Sequence, residues 1–161
     1  MRLSKRSVRT SRRSRESVTK DFEELLACFN ARGVKALIVG GHAVAFHGKP
    51  RFTKDLDLLV ESSDENADRL LQALTDFGFA GLGLTAEDFT SADTVVQLGV
   101  APNRVDLVTS IDGVTFAEAW NGRASGHYGA QPAFYLGKAE LIRNKRAVGR
   151  LQDLADIDSL S

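Results

Sequence analysis

A chain of 161 residues with 43% apolar and 26% charged residues has the composition of one folded globular domain. It has no run of about 18 apolar residues and no apolar segment after its basic N-terminus, so we expect neither a membrane span nor a secretory signal. The single cysteine, Cys28, excludes a disulfide framework and a cysteine-based metal site, which fits a cytoplasmic protein.

The first 20 residues are strongly basic. They carry eight Lys or Arg residues against Glu16, a net charge of +7, and the rest of the chain must therefore carry −7. Because this segment has almost no apolar residues to bury, residues 1–18 are predicted to form a flexible basic arm. Such an arm attracts RNA or DNA through its charge, or it is simply a solvated tail.

Residues 19–161 are predicted to form a single domain of mixed α/β class (α+β), in which short strands and helices alternate. An apolar stripe of period 3.6 predicts a first helix over residues 20–32. The β-branched run VKALIVGG, residues 34–41, predicts a buried strand that glycines stop, and two helical turns follow over 42–48. The segment KDLDLLVE, residues 54–61, alternates as a strand does.

The second half of the chain continues the same pattern. A capping box from Ser62 to Glu65 predicts the start of a helix that ends at Gly78. The segments DTVVQLGV and NRVDLVTS predict a β-hairpin, and the stretch that ends at Tyr135 predicts one weak strand. A short helix is expected near residues 116–120, and two closing helices are expected within residues 137–160.

Asp55 and Asp57 lie inside the apolar run of residues 54–61. Alternation along a strand points them to the same face, with Cα atoms roughly 6.6 Å apart. Two bare carboxylates at that distance repel each other by roughly 2 to 3 kcal/mol at an effective dielectric constant of about 20. A divalent cation such as Mg²⁺ (or Mn²⁺) offsets this repulsion, since it commonly binds carboxylates together with substrate phosphates. Asp106 is the candidate third ligand, since the later segment RVDLV could pair as a neighbouring strand beside DLDLL.

Gly40 and Gly41 stand where a strand gives way to a helix. Without side chains, their backbone can approach a phosphate closely and direct N–H groups at it. A tight strand-to-helix turn is the alternative reason for two glycines. The combination of strand, Gly-Gly, helix, Asp-x-Asp within a strand and a later strand-borne Asp is much more specific than either motif alone.

This combination resembles the signature of the nucleotidyltransferase superfamily, which includes DNA polymerase β, antibiotic nucleotidyltransferases and tRNA-terminal nucleotidyltransferases. The segment GGHAVAFHGKPRFTKDLDLLV and the late LIRNKRAVGRLQDLADI are most similar to small prokaryotic proteins of the AbiEii-type toxin nucleotidyltransferase group. The resemblance implies a minimal nucleotidyltransferase fold, in which helices flank a mixed twisted sheet and the metal site lies at one sheet edge.

The resemblance also implies roles for five residues. Asp55, Asp57 and Asp106 would be catalytic and bind the metal, and Asp106 would also activate the acceptor hydroxyl. Gly40 and Gly41 would contact the triphosphate.

Three further residues are candidate nucleotide ligands. His42 stands where many active relatives carry Ser; its imidazole can donate a hydrogen bond to phosphate, or else the nucleotide site is weakened or altered. Arg51 can reach the triphosphate or balance the carboxylates. Lys145 either binds phosphate or forms a salt bridge with Asp153 or Asp156.

The leading functional hypothesis is an Mg²⁺-dependent nucleotidyltransferase. It would move a nucleoside monophosphate from a nucleoside triphosphate such as ATP to a hydroxyl of RNA, especially a tRNA end, or of a protein. An antitoxin or a second copy of the chain is a possible partner, and no membrane is involved. The alternative is a catalytically weak relative that acts as a binding or regulatory partner. A metal-dependent sugar transferase is a third interpretation, although such enzymes generally need a larger nucleotide-binding region.

Overall fold

A computed structural model describes residues 4–8, 15–48, 53, 55–99 and 104–160 of the chain, with side-chain environments from Lys20 onward. Helices alternate with strands that form one mixed sheet, which confirms the predicted α+β class with a helix-flanked sheet. Within these ranges, no helix combines the length and the apolar character that a membrane crossing requires.

The strands are β1 Ser4–Val8, β2 Ala36–Val39, β3 Leu56–Val60, β4 Thr94–Leu98, β5 Val105–Val108, β6 Ala124–Tyr128 and β7 Gln131–Tyr135. The helices are α1 Arg15–Arg32, α2 Gly40–His47, α3 Asp64–Phe77, α4 Glu87–Thr90, α5 Phe116–Asn121, α6 Lys138–Val148 and α7 Leu151–Leu160. The two closing helices are therefore present as α6 and α7.

The sheet has the strand order β1-β4-β5-β3-β2-β7-β6. Strand β3 pairs parallel to β5 and antiparallel to β2, while β7 pairs parallel to β2. The predicted hairpin is confirmed, because β4 and β5 are antiparallel neighbours. Strands β5, β3 and β2 are therefore adjacent at the centre of the sheet, and this arrangement positions the candidate site.

The register divides the sheet into two faces. Leu58 of β3 pairs with Ile38 of β2 and with Leu107 of β5, and these three side chains are almost completely buried on one face. Helix α1 contacts the β6–β7 end of the sheet, where the ring of Phe22 lies 6.3 Å from that of Tyr128. Asp57 and Asp106 belong to the opposite face, since side chains alternate along a strand.

The basic N-terminal segment differs from its prediction. Ser4–Val8 pairs in parallel with β4 at the sheet edge, and α1 begins at Arg15 and not near residue 20. The prediction of a flexible arm is therefore corrected for residues 4–8 and 15–18. An edge strand depends on main-chain hydrogen bonds to its neighbour and needs no apolar pattern, so composition gave no sign of it.

The predicted cap of the helix after β3 also needs correction. Ser63, not Ser62, caps α3, because its hydroxyl accepts a hydrogen bond from the Asn66 amide at 3.1 Å. The chain does have a capping box, but at α5, where Thr115 and Glu118 bond reciprocally.

The stretch before Tyr135 forms two strands and not the single weak one predicted. Strands β6 and β7 make a hairpin with Gly129 at its turn, where the backbone φ is +57°. Glycine adopts this left-handed conformation without steric cost. The hairpin places Tyr128 and Tyr135 beside α2.

Candidate functional site

The predicted acidic residues meet on two neighbouring strands. The parallel register of β3 and β5 pairs Asp57 directly with Asp106, and β4 places Gln97 opposite Asp106 on its other side. Residues that pair directly project from the same face of a sheet. The structure therefore brings Asp57 and Asp106 together side by side; we call this pair, with Asp55, the acidic row.

Asp55 joins the row from just outside the sheet. It precedes β3 by one residue, whereas the sequence placed it within the strand. Its Oδ1 accepts a hydrogen bond of 2.9 Å from the backbone amide of Arg104, and its Oδ2 lies 3.6 Å from Nη2 of the same arginine. Asp55 is thus anchored to the loop that leads into β5.

Arg104 is the residue that sequence reasoning missed. Its Nε and Nη2 donate to the two carboxylate oxygens of Asp106, at 2.7 and 3.2 Å, in a bidentate pair. A signal for it was present, because Arg104 stands two residues before Asp106 and such residues share a side of an extended chain. Its guanidinium lies near three carboxylates, so Arg104 and the acidic row together, counted over the described residues, carry a net negative charge.

Asp57 is both buried and close to the other carboxylates of the acidic row. Burial first, and then the neighbouring charges of Asp106 and Asp55, raise the pKa of Asp57 to about 7. Arg104 and Lys145 lower this pKa but do not cancel the rise. A buried carboxylate with this environment favours binding of a proton or a cation.

Gly40 is required by the position of Asp57. Its backbone φ is +65°, and a Cβ atom built on it would lie 3.1 Å from Cγ and 3.2 Å from Cβ of Asp57, with Oδ2 closer still. Both the backbone conformation and the close approach therefore exclude a side chain here. Gly41 follows in the first turn of α2, where backbone N–H groups lack intrahelical acceptors. The start of α2 thus lies directly against the acidic row.

His42 lies in the same first turn of α2. The hydroxyl of Thr53 is 3.0 to 3.1 Å from its two ring nitrogens, and the ring of Tyr128 meets it edge-on at 5.4 Å. Burial lowers the pKa of His42, and the charge of Asp55 opposes this in part. The lowered pKa favours the neutral imidazole, in which one ring nitrogen carries an N–H.

Lys145 forms the salt bridges that the sequence offered as its alternative role. Its ammonium is buried and lies 3.0 Å from Asp153 Oδ1 and 3.2 Å from Asp156 Oδ2. Arg150 also binds Asp153, and its hydrogen bond is the main reason that the pKa of Asp153 falls to about 2. This buried cluster ties α6 to α7, and Lys145 acts on the site through its charge.

The donors partly fit a divalent cation. Across the described residues, no three His, Cys, Asp or Glu side chains are grouped as a ready-made metal site. Asp57 and Asp106 nevertheless supply two adjacent carboxylates, the ligand type that Mg²⁺ and Mn²⁺ prefer. Burial, and then the charges of Asp106 and Asp55, raise the pKa of Asp57, and a bound cation would offset this unfavourable environment. The row therefore fits an ion held by two carboxylates. The predicted ligand Arg51 lies outside the described residues.

Comparisons with known proteins do not assign this site. No protein-family model matches the chain, and a search of curated proteins finds no significant match. The nucleotidyltransferase resemblance therefore stays a prediction from the motif.

Proposed function

We propose that this chain is a divalent-metal-dependent nucleotidyltransferase. The observation that carries the proposal is the direct pairing of Asp57 with Asp106 against the glycine start of α2. The raised pKa of Asp57 supports it, because burial and the neighbouring carboxylates make its charged form unfavourable without a cation.

The proposed chemistry assigns each group a task. Asp57 and Asp106 would hold Mg²⁺ or Mn²⁺, which supplies charge neutralisation for a triphosphate and for the pyrophosphate that leaves. The first-turn amides of α2, at Gly40 and Gly41, and the neutral imidazole of His42 would bind phosphate oxygens. These groups orient the substrate and hold its charge.

The proposed reaction transfers a nucleoside monophosphate, and the bond changes take place at its α-phosphorus. The acceptor hydroxyl oxygen forms a bond to the α-phosphorus while the bond from that phosphorus to the bridging oxygen of the β-phosphate breaks. The hydroxyl proton passes to a carboxylate of the acidic row, and the electron pair of the broken bond leaves with pyrophosphate. Most of the catalysis comes from positioning and electrostatic stabilisation.

The proposed substrates are a nucleoside triphosphate such as ATP and a hydroxyl acceptor on RNA, especially a tRNA end, or on a protein. The net charge of +7 over the first 20 residues supports an RNA acceptor. A role within a toxin–antitoxin pair, with an antitoxin or a second copy as partner, is part of the same proposal.

A labelling experiment tests this function. The purified chain is incubated with each labelled nucleoside triphosphate, Mg²⁺ or Mn²⁺, and total RNA or protein. Label on a macromolecule should disappear in Asp57→Asn and Asp106→Asn and persist in Asp158→Asn, which changes an exposed carboxylate on α7. Transfer of label by both Asp57→Asn and Asp106→Asn would contradict the assignment of these residues to the site.

One observation favours a second candidate, a catalytically weak fold that acts as a binding or regulatory partner. Arg104 already binds both oxygens of Asp106, and no three-ligand metal group is assembled among the described residues. This candidate predicts tight binding of a partner protein, such as an antitoxin, with no label transferred from any nucleotide.

A further inference from the structure

The side chain of Arg104 binds the carboxylates that the proposed metal would need. Its guanidinium takes both oxygens of Asp106 and reaches toward Asp55. Only 26% of the arginine side chain and 13% of the aspartate side chain are exposed, so solvent screens this pair weakly.

The side chain and the backbone of Arg104 have separable tasks. The backbone amide holds Asp55 at 2.9 Å and would remain after any substitution except proline. The guanidinium, by contrast, contributes positive charge to the row. Lys145, whose charge also reaches Asp57, is bound by Asp153 and Asp156. Among the described residues, Arg104 is therefore the cation that is bonded directly to the acidic row.

We propose that Arg104 is a positioning residue that serves as an internal counter-ion. It holds Asp106 and Asp55 in place while the row is without metal, and it competes with a divalent cation for Asp106. Cation binding requires the guanidinium to leave at least one oxygen of Asp106. This inference rests on the proposed function, since both concern the same carboxylates.

The test is a Mn²⁺ titration of the full chain. Binding is measured by electron paramagnetic resonance, as the loss of the signal of free Mn²⁺. Arg104→Gln should bind Mn²⁺ about tenfold or more tightly than the unaltered chain, because a hydrogen bond between charged groups is worth at least one power of ten. The titration is run near pH 8.5, since removal of the arginine also makes the carboxylates bind protons more tightly.

Two further variants make the result specific. Arg104→Lys keeps the charge but loses the bidentate geometry, so its affinity for Mn²⁺ should lie between those of the unaltered chain and Arg104→Gln. It also replaces Arg104→Gln as the test variant if the glutamine variant fails to fold. Arg32→Gln is the matched control: Arg32 forms a similar bidentate pair with Asp76, at 2.7 and 3.0 Å, on the surface. It should bind Mn²⁺ as the unaltered chain does.

The possible outcomes separate the two proposals. Tighter binding by Arg104→Gln that is lost again when Asp106→Asn is added supports the counter-ion role. Equal or weaker binding by both Arg104 variants, with binding still dependent on Asp57, overturns that role and leaves the metal site intact. Absence of Mn²⁺ binding in every variant overturns the counter-ion role together with the metal-dependent function.

Discussion

The contact between Gly40 and Asp57 makes a prediction that isolates one feature of the site. In Gly40→Ala, the alanine must adopt a backbone φ of +65°, and its methyl group must displace the Asp57 carboxylate. The first requirement costs about 1 kcal/mol net, because a left-handed alanine is strained but its unfolded chain is less free. The second resembles overpacking of a dense interior and costs about 1–3 kcal/mol more.

Gly33→Ala supplies the matched control. Gly33 has nearly the same φ, +67°, but a Cβ built on it meets no atom within 4 Å. It should therefore lose about 1 kcal/mol of unfolding free energy, against about 2–4 kcal/mol for Gly40→Ala. Urea titrations followed by far-ultraviolet circular dichroism measure both losses on the same scale.

A double-mutant cycle with Asp57→Ala identifies the cause. If the carboxylate produces the excess cost of Gly40→Ala, that excess should vanish when Asp57 has been truncated. Equal losses for the two glycine variants, or an excess that survives in the Asp57→Ala background, would refute the close contact as the reason for Gly40.

Two further outcomes follow from buried charges. Because the pKa of Asp57 is raised from 3.8 to about 7, the folded state binds more protons than the unfolded state between these pH values, so its stability falls as pH rises through that window. Asparagine does not titrate, so the unfolding free energy of Asp57→Asn should rise relative to that of the unaltered chain by on the order of a few kcal/mol between about pH 4 and pH 7. Urea titrations at each pH measure this difference, and a difference that stays constant with pH would contradict the raised pKa. Lys145→Met leaves Asp153 and Asp156 buried without their cation and should cost about 3–5 kcal/mol in thermal melts. Arg69→Met, which breaks an exposed pair on α3, should cost under about 0.5 kcal/mol, and similar losses for both lysine and arginine variants would exclude a special role for the buried cluster.

Local signals in the sequence were sufficient for much of the fold. The stripe of Phe22, Leu25, Leu26 and Phe29 is buried along α1, and the turn from β2 into α2 begins at Gly40. Such patterns repeat at the period of the element that they form, so they are visible in one short segment. The choice of Ser62 over Ser63 as a cap was wrong because two adjacent serines offer the same chemistry, and only the backbone decides between them.

The site shows the division between local and tertiary information. Sequence alternation placed Asp57 and Asp106 each on one face of its own strand, and the i, i+2 spacing of Arg104 and Asp106 contained a further signal that went unused. That the Asp106 strand could lie beside the Asp57 strand was a prediction from the chemistry of the site, and the strand order confirms it. Only the tertiary structure decided the register that pairs the two carboxylates and the position of Arg104 across them. Strand order depends on contacts between segments that are far apart in the chain, and no local period encodes them.

Lys145 illustrates the same limit. Its sequence context allowed either a phosphate ligand or a partner for the acids of α7, and the choice depended on how the two closing helices pack. The ammonium is buried between Asp153 and Asp156 because a charge removed from water must find an opposite charge nearby. The amino-acid order thus determined which groups are charged and which elements carry them. Tertiary packing determined which charges meet, since an ion pair forms only between groups that lie within a few ångströms in the folded chain.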